Sequence, residues 1–249
     1  MRKLALTAAL VGFLAAPAMA GDHTDMHKPW GYTGAGKAME WGDLGSDYAL
    51  CKLGEKQSPV NISEYASADL PPLEIAYTAT PLEVVNNGHT VQTNYAAGST
   101  MSVGGKTYNL LQMHFHTPSE HYIDGAPYPM EVHFVHKAAD GELAVVGAMM
   151  KIGAANKVVQ GIWQNIPAAG ETKTVESVTY SGTDLLPEGR DYYKYVGSLT
   201  TPPCSENVQW HVLKEPIEIS EEQLVAFQNI YPVNARPVQP LNERTVTGK

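Results

Sequence analysis

Between Leu110 and His136 the chain reads LLQMHFHTPSEHYIDGAPYPMEVHFVH, with polar and apolar residues alternating on both sides of a turn-rich link. Alternation with period two is the pattern of a β-strand, whose successive side chains point to opposite faces. It predicts Gln112, His114 and His116 on one face, with Leu111, Met113 and Phe115 on the other. Asp124-Gly125, Pro127 and Pro129 break the chain. The alternation then resumes, with Glu131, His133 and Val135 opposed to Val132, Phe134 and His136. Two such strands commit the chain to a sheet with one apolar face and one face that carries imidazoles.

The stretch holds five of the nine histidines, and that concentration is a reason to look for a metal. If the two strands share a sheet, His114, His116 and His133 converge on one patch. Three protein nitrogens with one open position form the ligand set of a catalytic zinc site, so Zn2+ is the expected cofactor. A strand histidine taken alone is more often structural. Here Gln112 and Glu131 each stand two residues before a candidate ligand on the same face. From there they can accept the second N–H of a metal-bound imidazole. A buried carboxylate is costly unless paired, which gives Glu131 a reason to sit beside an imidazole.

The N-terminus is read separately from the fold. Arg2 and Lys3 precede an apolar run from Leu4 to Ala16, too short to span a bilayer, and Ala18-Met19-Ala20 has the small-x-small form of a cleavage site. Residues 1–20 are therefore expected to be a signal peptide of bacterial type. The mature chain would start at Gly21, be periplasmic or secreted, and keep no membrane anchor. The formal net charge is −9 with no basic run, which argues against nucleic acid and anionic lipid as partners. Cys51 and Cys204 are the only cysteines. In an oxidising compartment they are expected to bridge, the alternative being two buried thiols.

After Gly21 the order of elements points to one β-dominated domain. Gly21 to Lys37 reads as a loose arm, anchored if at all by Trp30, Tyr32 and Trp41; His23 and His27 within it read as solvated. Short strands are expected at Leu73–Tyr77, on both sides of Asn86-Asn87-Gly88, at Glu142–Lys151, Val175–Tyr180 and Val208–Leu213, while Met101–Tyr108 holds a Gly-Gly turn that leads into the histidine strands. Two short helices are expected. One spans Asn156–Ile166, where Val158, Val159, Ile162, Trp163 and Ile166 recur at helical spacing. The other opens at the capping box SEEQ from Ser220. No repeat or linker divides residues 21–249.

A zinc site of this kind needs a group to orient its nucleophile, room for an electrophile and a path for protons. A threonine hydroxyl can donate to a carboxylate while accepting from the nucleophile, a task open to Thr200 with Glu120. Spacing alone leaves Glu120 equally a surface carboxylate and Thr200 a turn residue. Val135, Val145, Leu199, Val208 and Trp210 could wall a small apolar pocket or be plain core. His89 follows a turn and could simply be exposed.

The segments QSPVNI, NNGH, QMHFHTPSEH, EVHFVH, ELAVVGAMMKIG and YVGSLTTPPCSENVQWHVLKEPI resemble an α-class carbonic anhydrase of the bacterial, exported kind. The resemblance runs from about Trp30 to Arg244. It implies a large twisted, mainly antiparallel sheet with the zinc at the floor of a conical cleft. It implies His114, His116 and His133 as ligands, backed by Gln112 and Glu131. Thr200 with Glu120 would orient zinc hydroxide, and Thr201 would help hold bicarbonate. Val135, Val145, Leu199, Val208 and Trp210 would form the CO2 pocket. His89 would be the proton shuttle, with Tyr32, Asn87 and Gln92 along the water chain; Gln92 stands where animal members commonly have asparagine. Cys51 and Cys204 match the bacterial disulfide bracing the Thr200 loop. The implied reaction is attack of zinc hydroxide on CO2, with esterase activity on the side. Bacterial members are often homodimers, which leaves that option for this chain. Two rival readings are a metal-free binding module on the same fold, which typically loses a ligand histidine, and a zinc esterase.

Overall fold

The computed structural model describes residues 29–249. The expected signal peptide at 1–20, the start at Gly21, and His23 and His27 lie outside the described residues.

The expected strands assemble into one 13-stranded sheet. Its middle runs through Thr80–Asn86, Val91–Asn94, Lys106–His116, Met130–Ala138, Leu143–Ile152, Glu206–Leu213 and Tyr192–Ser198 in that spatial order. Most neighbours are antiparallel. Leu143–Ile152, however, runs parallel to both Glu206–Leu213 and Ile217–Ile219. That strand is apolar almost throughout because both of its faces are covered. Ala144, Val146, Ala148 and Met150 enter the main core, while Val145 and Met149 enter a second cluster on the other face with Val208, Trp210 and Val212.

The imidazole strands are direct neighbours, and His133 pairs with His114 across the ladder. Met113, Phe115, Val132 and Phe134 are fully buried on the opposite face. One part of the expected alternation fails. Val135 pairs with Gln112 but His136 pairs with Leu110, so Leu111 is skipped. This bulge reverses the phase of the strand: Leu110 is 3% exposed and Leu111 43%. Leu111 therefore does not share the buried face of Met113 and Phe115.

Both expected helices form, at Lys157–Trp163 and Glu221–Gln228. Ser220 Oγ accepts from Gln223 N, and Gln223 Oε1 accepts from Ser220 N, completing the capping box. Asn156 caps the other helix through Val158 N and Val159 N. The same Gln223 amide bonds the Asn156 backbone, tying the two helix starts together. Short 3-10 helices at Ala38–Asp43, Ser46–Tyr48 and Gly182–Leu185 and a single α-turn at Leu50–Leu53 were not signalled by periodicity. The N-terminal ones carry Trp41, fully buried against Trp30, Tyr32 and the cysteines, so the arm is anchored where its aromatics predict.

Two imidazoles are buried away from the histidine patch. His136 bonds Tyr77 Oη through Nε2 at 2.7 Å, and burial pushes its pKa down to about 4. His211 is buried as well, and burial, followed by the Lys194 charge, pushes it down to about 3. Both lie below a free imidazole, so the unfolded chain takes up protons first. Their contribution to stability is full above about pH 6.5 and is lost as pH falls through their folded values. His211→Leu should therefore spare roughly 3 kcal/mol of the stability otherwise lost between pH 6.5 and 4. Urea unfolding at the two pH values checks this; equal losses in variant and parent would contradict it.

Candidate active site

The strand pair brings three rings together. Their centroids are 4.9 Å apart for His114 and His116, 5.2 Å for His114 and His133, and 4.6 Å for His116 and His133. One ring nitrogen from each lies within 4.8 Å of the others. The remaining nitrogens are engaged. His114 Nδ1 donates to Gln112 Oε1 at 2.8 Å. His116 Nδ1 donates to the Asn234 carbonyl at 2.8 Å. His133 Nε2 donates to Glu131 Oε1 at 2.8 Å. A carbonyl or carboxylate can only accept, so each contact fixes the proton on the engaged nitrogen. The bare lone pairs are then His114 Nε2, His116 Nε2 and His133 Nδ1. His116 Nε2 is buried without a partner. Burial followed by the neighbouring rings holds His114 well below the free imidazole range, and burial also lowers His116. Burial pulls His133 down as well, but the Glu131 carboxylate outweighs it and the net shift is upward. A donor set of three imidazoles, each with its second ring nitrogen engaged by an acceptor, fits zinc.

Glu131 is fully buried and fully used. Its Oε2 accepts from Glu120 N and His121 N, each at 2.9 Å, and its Oε1 meets His121 Nδ1 as well as His133. Burial alone would raise this carboxyl; His121 and His133 instead hold it well below the usual range. Gly147 lies across the ladder from His133, and a Cβ there would come within 2.8 Å of Glu131 Oε1. The GAMM segment thus needs its glycine for this carboxylate.

His121, Tyr195 and Ser58 extend the chain of contacts and were not picked out in the sequence. His121 Nε2 meets Tyr195 Oη at 2.6 Å, and that hydroxyl meets Ser58 Oγ at 2.8 Å. Ser58 Oγ in turn accepts from Ser198 N, two residues before Thr200. Arg236 and Asn234 were also missed. Arg236 N donates to Glu120 Oε1, while its guanidinium reaches Gln57 Oε1, Ser58 O and Cys51 O. Asn234 Nδ2 donates to His89 O, linking the His89 turn to the strand of His116.

Thr200 is buried at 5% exposure, and Thr201 beside it is half-buried. Their loop is held by Leu199 N to Ser205 O, Cys204 N to Thr201 O, Trp210 Nε1 to Ser198 O, and the disulfide between Cys51 and Cys204. Glu120 Oε2 is buried with no hydrogen-bond partner, and no direct bond joins it to Thr200. Val145, Val208 and Trp210 are buried in one cluster, with Val135 and Leu199 packed against it. The Trp210 ring lies 4.9 Å from that of His133, so this apolar wall adjoins the imidazoles.

His89 stacks on Trp30 with centroids 3.7 Å apart and planes 6° from parallel; partial burial lowers its pKa. Asn87 Oδ1 accepts from His89 N and Thr90 N, so its carbonyl holds the turn. Tyr32 packs edge-on against Trp30 and Trp41, and burial followed by the Glu120 charge raises its pKa well above the usual value. Gln92 lies across the ladder from His114.

Known proteins are similar to this chain over most of its length. The model of the eukaryotic-type carbonic anhydrases matches residues 37–249. A carbonic anhydrase of Pectobacterium atrosepticum is 44% identical over 218 residues, 87% of this chain and 89% of that one. One from Neisseria gonorrhoeae is 42% identical over 244 residues, 97% of this chain and 95% of its own. The solved α-carbonic anhydrase of Thermovibrio ammonificans, in complex with the inhibitor sulfanilamide, superposes with a TM-score of 0.85. It is 43% identical, covering 88% of this chain and 98% of that one. With a family match over most of its length and relatives above 40% identity, the chain belongs to the eukaryotic-type carbonic anhydrase family, enzymes of carbon dioxide hydration.

Proposed function

We propose that residues 21–249 form a single catalytic domain that hydrates CO2 reversibly to bicarbonate at a zinc ion held by His114, His116 and His133. The observation that carries this reading is the set of three lone pairs turned to one point by acceptors on the opposite ring nitrogens. Zinc bound there would acidify a water into the neutral range, an effect for which carbonic anhydrase itself is the standard example.

The chain's own groups do the rest. Glu120 Oε2 is a buried acceptor in want of a donor, a role open to the Thr200 hydroxyl, although the two are not bonded in the structure. A hydroxyl that donates to a carboxylate keeps its lone pairs for the nucleophile and so orients it. Thr201 adds a hydrogen bond to bicarbonate. Val135, Val145, Leu199, Val208 and Trp210 exclude water from the place where CO2 waits. A small apolar pocket suits a neutral gas better than a large polar ester, so esterase activity is a side reaction. Export through residues 1–20 to the periplasm or medium agrees with the cysteine bridge. Among the described residues no helix is long and apolar enough to cross a membrane.

His89 carries the proton out, through waters ordered by Tyr32, Asn87 and Gln92, since an imidazole titrates near neutrality. His89→Ala should reduce turnover in weak buffer by about tenfold or more, with recovery on adding imidazole. Turnover independent of buffer concentration in both proteins would remove His89 from the path.

A further inference from the structure

The polar wall beside the imidazoles carries a chain of three side chains with a fixed direction. Glu83 and Asn94 face each other across one rung of the ladder, and Gln92 and His114 across another. Asn94 Nδ2 donates to Glu83 Oε1 at 2.5 Å, and Gln92 Nε2 donates to Asn94 Oδ1 at 2.7 Å. An amide can usually rotate by half a turn and exchange its donor and acceptor ends. Here it cannot. The Glu83 carboxylate only accepts, so Asn94 must present its NH2 to it and its carbonyl to Gln92. Gln92 must then present its own NH2 to Asn94. One of its two Nε2 hydrogens is spent on Asn94, and its carbonyl, which has no partner among the described residues, is turned away from Asn94. Cross-strand partners share a face of the sheet, so Gln92 stands on the metal-binding face beside His114 and three residues from His89.

We infer that Glu83 and Asn94 are positioning residues for proton transfer: they fix which way the Gln92 amide faces, so that its carbonyl acceptor is held away from Asn94 and orients the waters leading to His89. The inference rests on the proposed proton path. It gives a task to Glu83, which touches none of the imidazoles in the structure. It also accounts for a glutamine at position 92, whose reach lets one amide group meet Asn94 and still face the cleft.

Glu83→Gln tests it, because the new amide can donate or accept and the direction of the chain is released with little change in shape. In weak buffer, stopped-flow CO2 hydration should show kcat lowered about fivefold, the effect of losing one oriented hydrogen bond. kcat/KM, which does not contain the proton-transfer step, should be unchanged, and imidazole should restore kcat. In a Gln92→Leu background Glu83→Gln should cost nothing further. An unchanged kcat, a matching fall in kcat/KM, or an additional loss in the Gln92→Leu background would overturn the inference alone. A parent enzyme whose turnover ignores buffer would overturn the proton path and this inference with it.

Discussion

His116→Ala should leave a protein that folds but keeps no zinc after dialysis, with CO2 hydration lowered by about a thousandfold or more, equivalent to about 4 kcal/mol of lost transition-state stabilisation. His116 is fully buried, its Nδ1 proton is spent on the Asn234 carbonyl, and its Nε2 has no protein partner. Removing the ring would take away one of the three proposed ligands and leave only two imidazoles to hold an ion. The groups behind the ligands should matter less. Gln112→Ala frees one N–H of His114 and should weaken zinc binding by roughly 10- to 100-fold. Elemental analysis of dialysed protein reads both effects. Full occupancy in His116→Ala would strike that residue from the ligand set, and an equal loss in both variants would contradict the ranking.

Breaking the bridge between Cys51 and Cys204 should cost roughly 5 kcal/mol of stability on the chain-entropy estimate, because the two cysteines lie 153 residues apart. Residual structure in the unfolded chain brings the measured figure below that bound. The bridge also joins two parts of the site. Cys204 N donates to Thr201 O, and Cys51 O accepts from the Arg236 guanidinium, whose backbone N–H holds Glu120. A Cys51→Ser, Cys204→Ser double variant should therefore lose activity at temperatures where it remains folded. Urea unfolding and hydration assays on the same samples check both halves. A double variant within 1 kcal/mol of its parent would show that the bridge does not constrain the unfolded chain as this estimate assumes.

What was legible in the sequence divides along a physical line. Patterns local to one segment could be read: the alternation around His114 and His133, the acceptors two residues before His114 and His133, the capping box at Ser220. Features set by pairing between distant segments could not. The bulge at Leu111 is decided by the register of the neighbouring strand, and no local alternation marks it. His121 sits in a turn-rich link with no period, and its partner Tyr195 is 74 residues away. Asn234 acts on His116 through its backbone carbonyl, and every residue has one. Arg236 lies in a proline-broken run whose local sequence gives no sign of burial, yet it is 2% exposed. Its charge is accommodated because three acceptors from the Cys51–Ser58 region surround the guanidinium. The parallel pairs of the mixed sheet were not legible, since an apolar run such as Leu143–Ile152 marks burial on both faces but not strand direction.

The central claim is that activity resides in a metal held by three imidazoles and nothing else from the protein. Stopped-flow CO2 hydration on the mature chain, before and after zinc is stripped by a chelator and after one equivalent is returned, tests it most directly. The account predicts fast hydration, its loss on stripping, and its full return with one zinc per chain. Hydration that survives complete removal of the metal, or a stripped protein that zinc does not revive although its fold is intact, would contradict it.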